Sequence, residues 1–333
     1  MSAFLVCGVA GLALDGEERR LLSELRPAGV VLFGRNVADR EQVASLVREL
    51  RALPSRPYIA VDLEGGRVNR LERLIGPLPA AADAARAGAP ALRALGEAAG
   101  AACAHLGIGV DLAPVLDVAR PEGFLAMEGR CLGRSADEVR AAADVFLEGL
   151  SVFGVTGCLK HYPGLGSGRV DSHRDLPLLD ETVFEDLKLF QSIARRGLAV
   201  MVAHALAPVL GEAACPTSLS RAVVGRLRAT AAPILADDLE MGALSAYGSL
   251  PERAAAAVAA GCDQVLVCNA LAALKEVAEH VRAAARRDPV LAATLREAAV
   301  RSEGFGQGEL AQVGWDHVLE LADRARALGG VKA

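Results

Sequence analysis

No uncharged run in this chain is long enough to cross a bilayer. The longest candidate, around residues 197–211, falls short of the roughly 20 apolar residues a spanning helix needs. No basic stripe is present either. A net charge of −5 leaves little to displace counterions from a nucleic-acid backbone, which argues against such a partner. The seven cysteines, Cys7, Cys103, Cys131, Cys158, Cys215, Cys262 and Cys268, show no CxxC spacing. An odd, scattered set argues against a disulfide frame or a thiolate zinc site and reads as reduced thiols in a cytoplasmic protein. No lysine or arginine precedes the N-terminal apolar run, the first being Arg19, so that run reads as a buried strand rather than a signal peptide. No linker divides the chain, and its 333 residues read as a single domain.

The chain does contain a monotonous alternation. Short apolar runs at residues 4–9, 30–33, 58–61, 109–112, 155–159, 199–203, 234–236 and 264–267 read as strands. Amphipathic segments at 16–25, 40–53, 90–106, 136–153, 181–196, 220–230, 252–260 and 270–284 read as the helices between them. Strands that are apolar on both faces and alternate with helices imply a parallel sheet. Eight such units closing on themselves make an α/β TIM (β/α)8-type barrel; an open doubly wound sheet is the structural alternative. The alanine-rich stretch 78–91 leads into the helix after the third strand, and residues 285–333 read as additional C-terminal helices with a turn at 304–308.

Ligands of parallel α/β folds bind beyond the C-terminal ends of the strands. Those ends carry Asp62, Asp117, Lys160-His161, His204 and Asp237-Asp238. One polar residue after a buried run is as often a helix cap, but five in one ring favour a site. After Asp62, Gly65-Gly66 permits a sharp turn that sends Arg67 or Arg70 back over that site, where a guanidinium fork suits hydroxyls and carboxylates. Gly164-Leu-Gly-Ser-Gly168 lacks GxGxxG spacing, and no helix opens directly after it. It reads as a close-packed, mobile loop carrying Asp171-Ser-His173 rather than a phosphate cradle. A carboxylate beside an imidazole orients the ring and stabilises its protonated form, which suits proton transfer near neutral pH. A loop-closing pair is the alternative reading of the same residues. Because side chains alternate along a strand, only one of Asp237 and Asp238 is expected to aim into the barrel mouth. His161, His173, His204 and Asp237 could in principle hold zinc. Metal-dependent barrel hydrolases usually carry HxH at the first strand, however, and this chain has Val6-Cys7-Gly8-Val9 there. No metal is expected.

Three stretches resemble glycoside hydrolase family 3, in its single-domain bacterial β-N-acetylglucosaminidase branch: residues 60–70 (AVDLEGGRVNR), residues 160–166 (KHYPGLG) with Asp171-Ser-His173, and residues 236–241 (ADDLEM). Residues 113–118 and 260–263 support the match, which runs from about residue 4 to about residue 285. The resemblance implies Asp237 as nucleophile, His173 as acid/base partnered by Asp171, and Asp62, Arg70, Arg130, Lys160 and His161 as substrate contacts. It implies no metal and no organic cofactor. The sequence departs from the pattern at Leu165, where many relatives have a second histidine, at Ala236, where a hydroxyl residue is usual, and at Gly129 beside Arg130. The expected activity is retaining hydrolysis of β-linked N-acetylglucosamine from muropeptides by a monomer or weak homo-oligomer. A phosphorylase, or a non-catalytic sugar-binding barrel, are the alternatives.

Overall fold

The computed structural model describes residues 2–172, 174–195, 197–230 and 232–331. Eight strands run parallel: β1 (Ser2–Cys7), β2 (Pro27–Leu32), β3 (Tyr58–Val61), β4 (Val110–Asp111), β5 (Thr156–Tyr162), β6 (Ala199–Val202), β7 (Ile234–Asp238) and β8 (Gln264–Val267). Each pairs with its chain neighbours, and β1 pairs with β8, so the sheet closes into a barrel. The closed TIM-type barrel is therefore the observed fold, and the open sheet is excluded. Almost every strand position is buried, which is why the strands read as continuous apolar runs rather than alternating ones.

The outer helices are α1 (Gly16–Leu25), α2 (Arg40–Arg51), α3 (Ala89–Leu106), α4 (Ala136–Ser151), α5 (Val183–Ile193), α6 (Leu250–Ala260) and α7 (Leu274–Arg287), followed by α8 (Pro289–Arg301) and α9 (Trp315–Gly329). Side-chain caps fix where several begin. Asp15 accepts from the Glu18 amide, Asp39 from Gln42 and Ser135 from Glu138, and Ser249 with Glu252 forms a capping box on α6. One expected helix shrinks. Of residues 220–230, only Arg221–Val224 is α-helical, followed by the 3-10 turn Gly225–Leu227. Consecutive valines and a glycine weaken helix propensity there. The 78–91 stretch forms the short helix Ala81–Ala87 and the first turn of α3.

Helices α3 and α4 approach to backbone contact. A Cβ added at Gly96 would lie 2.3 Å from the Phe146 carbonyl oxygen, and one at Gly149 would lie 2.8 Å from the Glu97 nitrogen. The N-terminal end of the barrel is filled. Phe305 meets the ring of Tyr58 edge-on with centroids 5.0 Å apart, and the Tyr58 hydroxyl donates to Gln264 Oε1 at 2.5 Å. A groove of about 860 Å³ flanks Phe305 at the base, and the cavity that enters the barrel lies at the other end.

Candidate active site

Beyond β3 the chain folds at once into a small antiparallel hairpin, Leu63–Gly65 against Val68–Asn69. Its turn needs glycine: Gly65 has φ +90°, and a Cβ there would lie 2.2 Å from the Pro79 carbonyl oxygen. The hairpin brings Asp62, Glu64, Arg67 and Arg70 to the wall of a single cavity. Lys160 Nζ donates to Asp62 Oδ1 at 2.7 Å and lies 2.6 Å from Glu64 Oε1. Arg130 grips the same Glu64 with both Nε and Nη2 at 2.8 Å. Burial pushes the Glu64 carboxyl up, but Lys160 and Arg130 more than reverse this and hold it well below the usual carboxylate range. Burial likewise favours neutral Lys160, and Asp62 and Glu64 outweigh it, so the ammonium persists. Arg67 pairs with Glu128 on the rim. The Arg70 Nε is buried and has no hydrogen-bond partner among the described residues.

On β5 the register breaks between Leu159 and Tyr162. Consecutive residues Lys160 and His161 therefore both reach the cavity, although regular alternation would turn one of them away. His161 Nδ1 lies 2.7 Å from Asp117 Oδ2, and Asp117 also accepts the backbone N–H groups of His161 and Leu165. A carboxylate oxygen accepts, so Nδ1 carries the hydrogen and Nε2 is the nitrogen left for a ligand.

The same device recurs on β7. Ala236 pairs with Val265 and Asp238 with Leu266, so two residues of β7 oppose one of β8. This bulge at Asp237 overturns the expectation that only one aspartate reaches the mouth, because both line the cavity. Asp238 also braces, as expected of the second aspartate: its Oδ1 accepts the Glu240 amide at 3.2 Å. Burial, then the charge of Glu240, pushes the Asp238 carboxyl up to about 7. Its N–H donates to Asp237 Oδ1 at 2.8 Å. His204 is not in the cavity wall. It is fully buried and bonded to Ser218 and to the Asp238 carbonyl, so both of its nitrogens are taken and it is no metal ligand.

The loop after β5 delivers Asp171 to the cavity, and a side recess of about 30 Å³ is lined by Asp171, Ser172, Arg130, His161 and Asp237 among others. The expected acid/base His173 lies outside the described residues. The loop is close-packed, as its glycines imply. A Cβ at Gly166 would meet the Val118 carbonyl oxygen at 2.0 Å, and one at Gly164 would meet Asp186 at 2.4 Å. The cavity itself measures about 340 Å³, within the range small-molecule sites occupy. It gathers Asp62, Arg70, Arg130, Lys160, His161, Asp171 and Asp237 together. A larger groove of about 1000 Å³ outside the barrel, beside α3 and α4, is lined mostly by alanine and leucine, with exposed arginines, and gathers no such set.

Three acids, Glu64 and Asp111 buried and Glu128 half-buried, do not stand out in the sequence. Glu64 stands two residues after Asp62, spacing that puts both on one side of an extended segment. Glu128 had no signal. Asp111 lies fully buried at the end of β4, where burial pushes its carboxyl far above the ordinary range. Its Oδ1 accepts the Leu63 amide at 3.0 Å and anchors the start of the hairpin.

The sequence profile of the Glycosyl hydrolase family 3 N terminal domain matches residues 6–299. The chain belongs to glycoside hydrolase family 3. A family member named β-hexosaminidase from Thioalkalivibrio sulfidiphilus is 38% identical over 279 residues, 78% of each chain. Another of that name from Chromobacterium violaceum is 35% identical over 341 aligned positions, covering 97% of this chain and 92% of the relative. Among solved structures, NagZ from Neisseria gonorrhoeae in complex with N-trifluoroacetyl-D-glucosamine superposes with a TM-score of 0.79 at 27% identity, covering 99% of this chain and 98% of that one. A family 3 β-N-acetylglucosaminidase from Paenibacillus sp. gives 0.84 at 28%, covering 98% of this chain and 67% of that one. Among the described residues no helix is long and apolar enough to cross a membrane.

Proposed function

We propose that this family 3 member is a retaining β-N-acetylglucosaminidase that removes terminal non-reducing N-acetylglucosamine from peptidoglycan fragments. The observation that carries the reading is one cavity lined by Asp237 and Asp171 together with Asp62, Arg70, Arg130, Lys160 and His161. The names of the relatives support the sugar and the reaction class.

In this reading Asp237 attacks the anomeric carbon while His173, oriented by Asp171, protonates the leaving oxygen. The glycosyl-enzyme ester then loses its sugar to a water deprotonated by His173, so the configuration is retained. Asp62 accepts from sugar hydroxyls. Arg70 offers an Nε–H with no hydrogen-bond partner among the described residues, and Arg130 and Lys160, both fixed by Glu64, hold the remaining polar groups in register. All seven thiols are unpaired and six are buried, which supports a reducing, cytoplasmic setting. One barrel carries the described residues of the proposed site, which fits a monomer or weak homo-oligomer.

The test is nitrophenol release from the β-N-acetylglucosaminide and from the β-glucoside, in buffer free of phosphate and metal. Release from the first alone is expected, and Asp237→Ala abolishes it while sugar binding survives. Unchanged activity in that variant would remove Asp237 from the scheme, and release that requires added phosphate would replace hydrolysis by phosphorolysis.

A further inference from the structure

Strands β6 and β7 pair residue for residue from Val200–Ile234 to Val202–Ala236, where the ladder stops. Continued by two residues, it would set position 204 against position 238. The backbone of β7 has by then bulged at Asp237, and the register of the ladder shifts there. The His204 side chain bonds to β7 just past that shift. Its Nε2 lies 3.0 Å from the Asp238 carbonyl oxygen, and its Nδ1 lies 2.7 Å from Ser218 Oγ. A carbonyl only accepts, so Nε2–H donates and Nδ1 accepts the Ser218 hydroxyl hydrogen. Burial of His204 depresses its pKa, which keeps the ring neutral and in that one tautomer. Ser218 is itself fixed: its neighbour Thr217 donates to the Ala203 carbonyl at 2.6 Å and accepts the Ala205 amide at 3.2 Å, one bond on each side of His204. The far end of this series is the Asp238 N–H, which donates to Asp237 Oδ1 at 2.8 Å.

We infer that His204, held by Ser218, is a positioning residue that fixes the bulge of β7 and thereby the aim of the Asp237 carboxylate. The inference rests on Asp237 being the nucleophile. His204 touches no substrate, so its effect belongs in the chemical step and not in sugar affinity. His204→Phe fills the space but cannot donate. Displacement of a reacting group by as little as 1 Å costs about a hundredfold in rate, so kcat is expected to fall by about that factor with KM changed far less. Labelling of Asp237 by a fluorinated N-acetylglucosaminyl fluoride, followed by intact-protein mass, slows in parallel. His204→Gln, whose amide nitrogen can occupy the Nε2 position, recovers part of both rates. A merely structural histidine would lower the melting temperature without this split or this rescue.

Parent-like kcat and labelling in His204→Phe overturn the inference. If that variant does not fold, Ser218→Ala decides: a several-fold loss of kcat at constant KM supports the inference, and parent-like kcat overturns it. Asp237→Ala separates the two levels. Turnover that survives in Asp237→Ala sinks the nucleophile reading itself, whereas an inactive Asp237→Ala beside a parent-like His204→Phe sinks only the role of His204.

Discussion

Replacing Glu64 by glutamine tests the ion network in the wall of the proposed site. The Glu64 side chain is only 2% exposed and receives Lys160 Nζ at 2.6 Å and two arms of Arg130 at 2.8 Å. Glutamine keeps the shape but removes the charge shared by two buried cations, and its NH2 faces donors. Breaking a buried pair from one side costs about 3–5 kcal/mol. An unfolding entropy of roughly 2.1 cal/mol/K per residue, taken over 333 residues, is about 0.7 kcal/mol/K, so the melting temperature should fall by about 4–7 °C. The pH dependence has a definite sign. The folded pKa of Glu64 is depressed, so its stabilisation is complete above the unfolded value of about 4.3 and is lost as pH falls further towards the folded value. Thermal melts of both proteins should therefore differ by a constant amount between about pH 6 and 8 and converge only in strong acid. In the same variant KM should rise, because Arg130 and Lys160 lose their shared anchor. An undiminished melting temperature at neutral pH with unchanged KM would refute the network argument.

Asp186, buried under the loop after β5, has its carboxyl pushed up to about 7 by burial, against the opposing charge of Arg120. A raised carboxyl binds its proton more tightly in the folded state, so stability should decline as pH rises from about 4 to about 7. Urea titrations should show Asp186→Asn flattening that slope. Gly96→Ala places a methyl against the Phe146 carbonyl and should cost about 1–3 kcal/mol in the same assay without altering KM. A chelator should leave turnover unchanged, since both nitrogens of His204 are occupied and His161 Nδ1 is held by Asp117; loss of activity reversed by added metal would contradict this.

The barrel was legible because its signal repeats eight times. Strands at 58–61 and 264–267 and the helix at 16–25 fall where the pattern places them. The positions of Asp62, Lys160, His161 and Asp237 at strand ends were legible for the same reason. What alternation could not convey is where alternation fails. The register breaks on β5 and β7 put Lys160 beside His161, and Asp237 beside Asp238, in one cavity. Such breaks depend on neighbouring strands and leave no mark in a single run of residues. Glu64 was hidden in a segment that reads as a turn, and its importance comes from Arg130, distant in sequence. His204 carried the right signal and a different meaning, because a polar residue after a buried strand can point between strands as well as into the mouth.

The ring of Phe305 against Tyr58 stops the barrel at its base. Among the described residues the cavity therefore does not run through the barrel. What enters from the mouth side must leave on the mouth side, and the released sugar stands between the site and the next substrate. Turnover in such a blind well is a queue: free sugar should inhibit competitively, and a chain cannot be threaded through and cut in its middle.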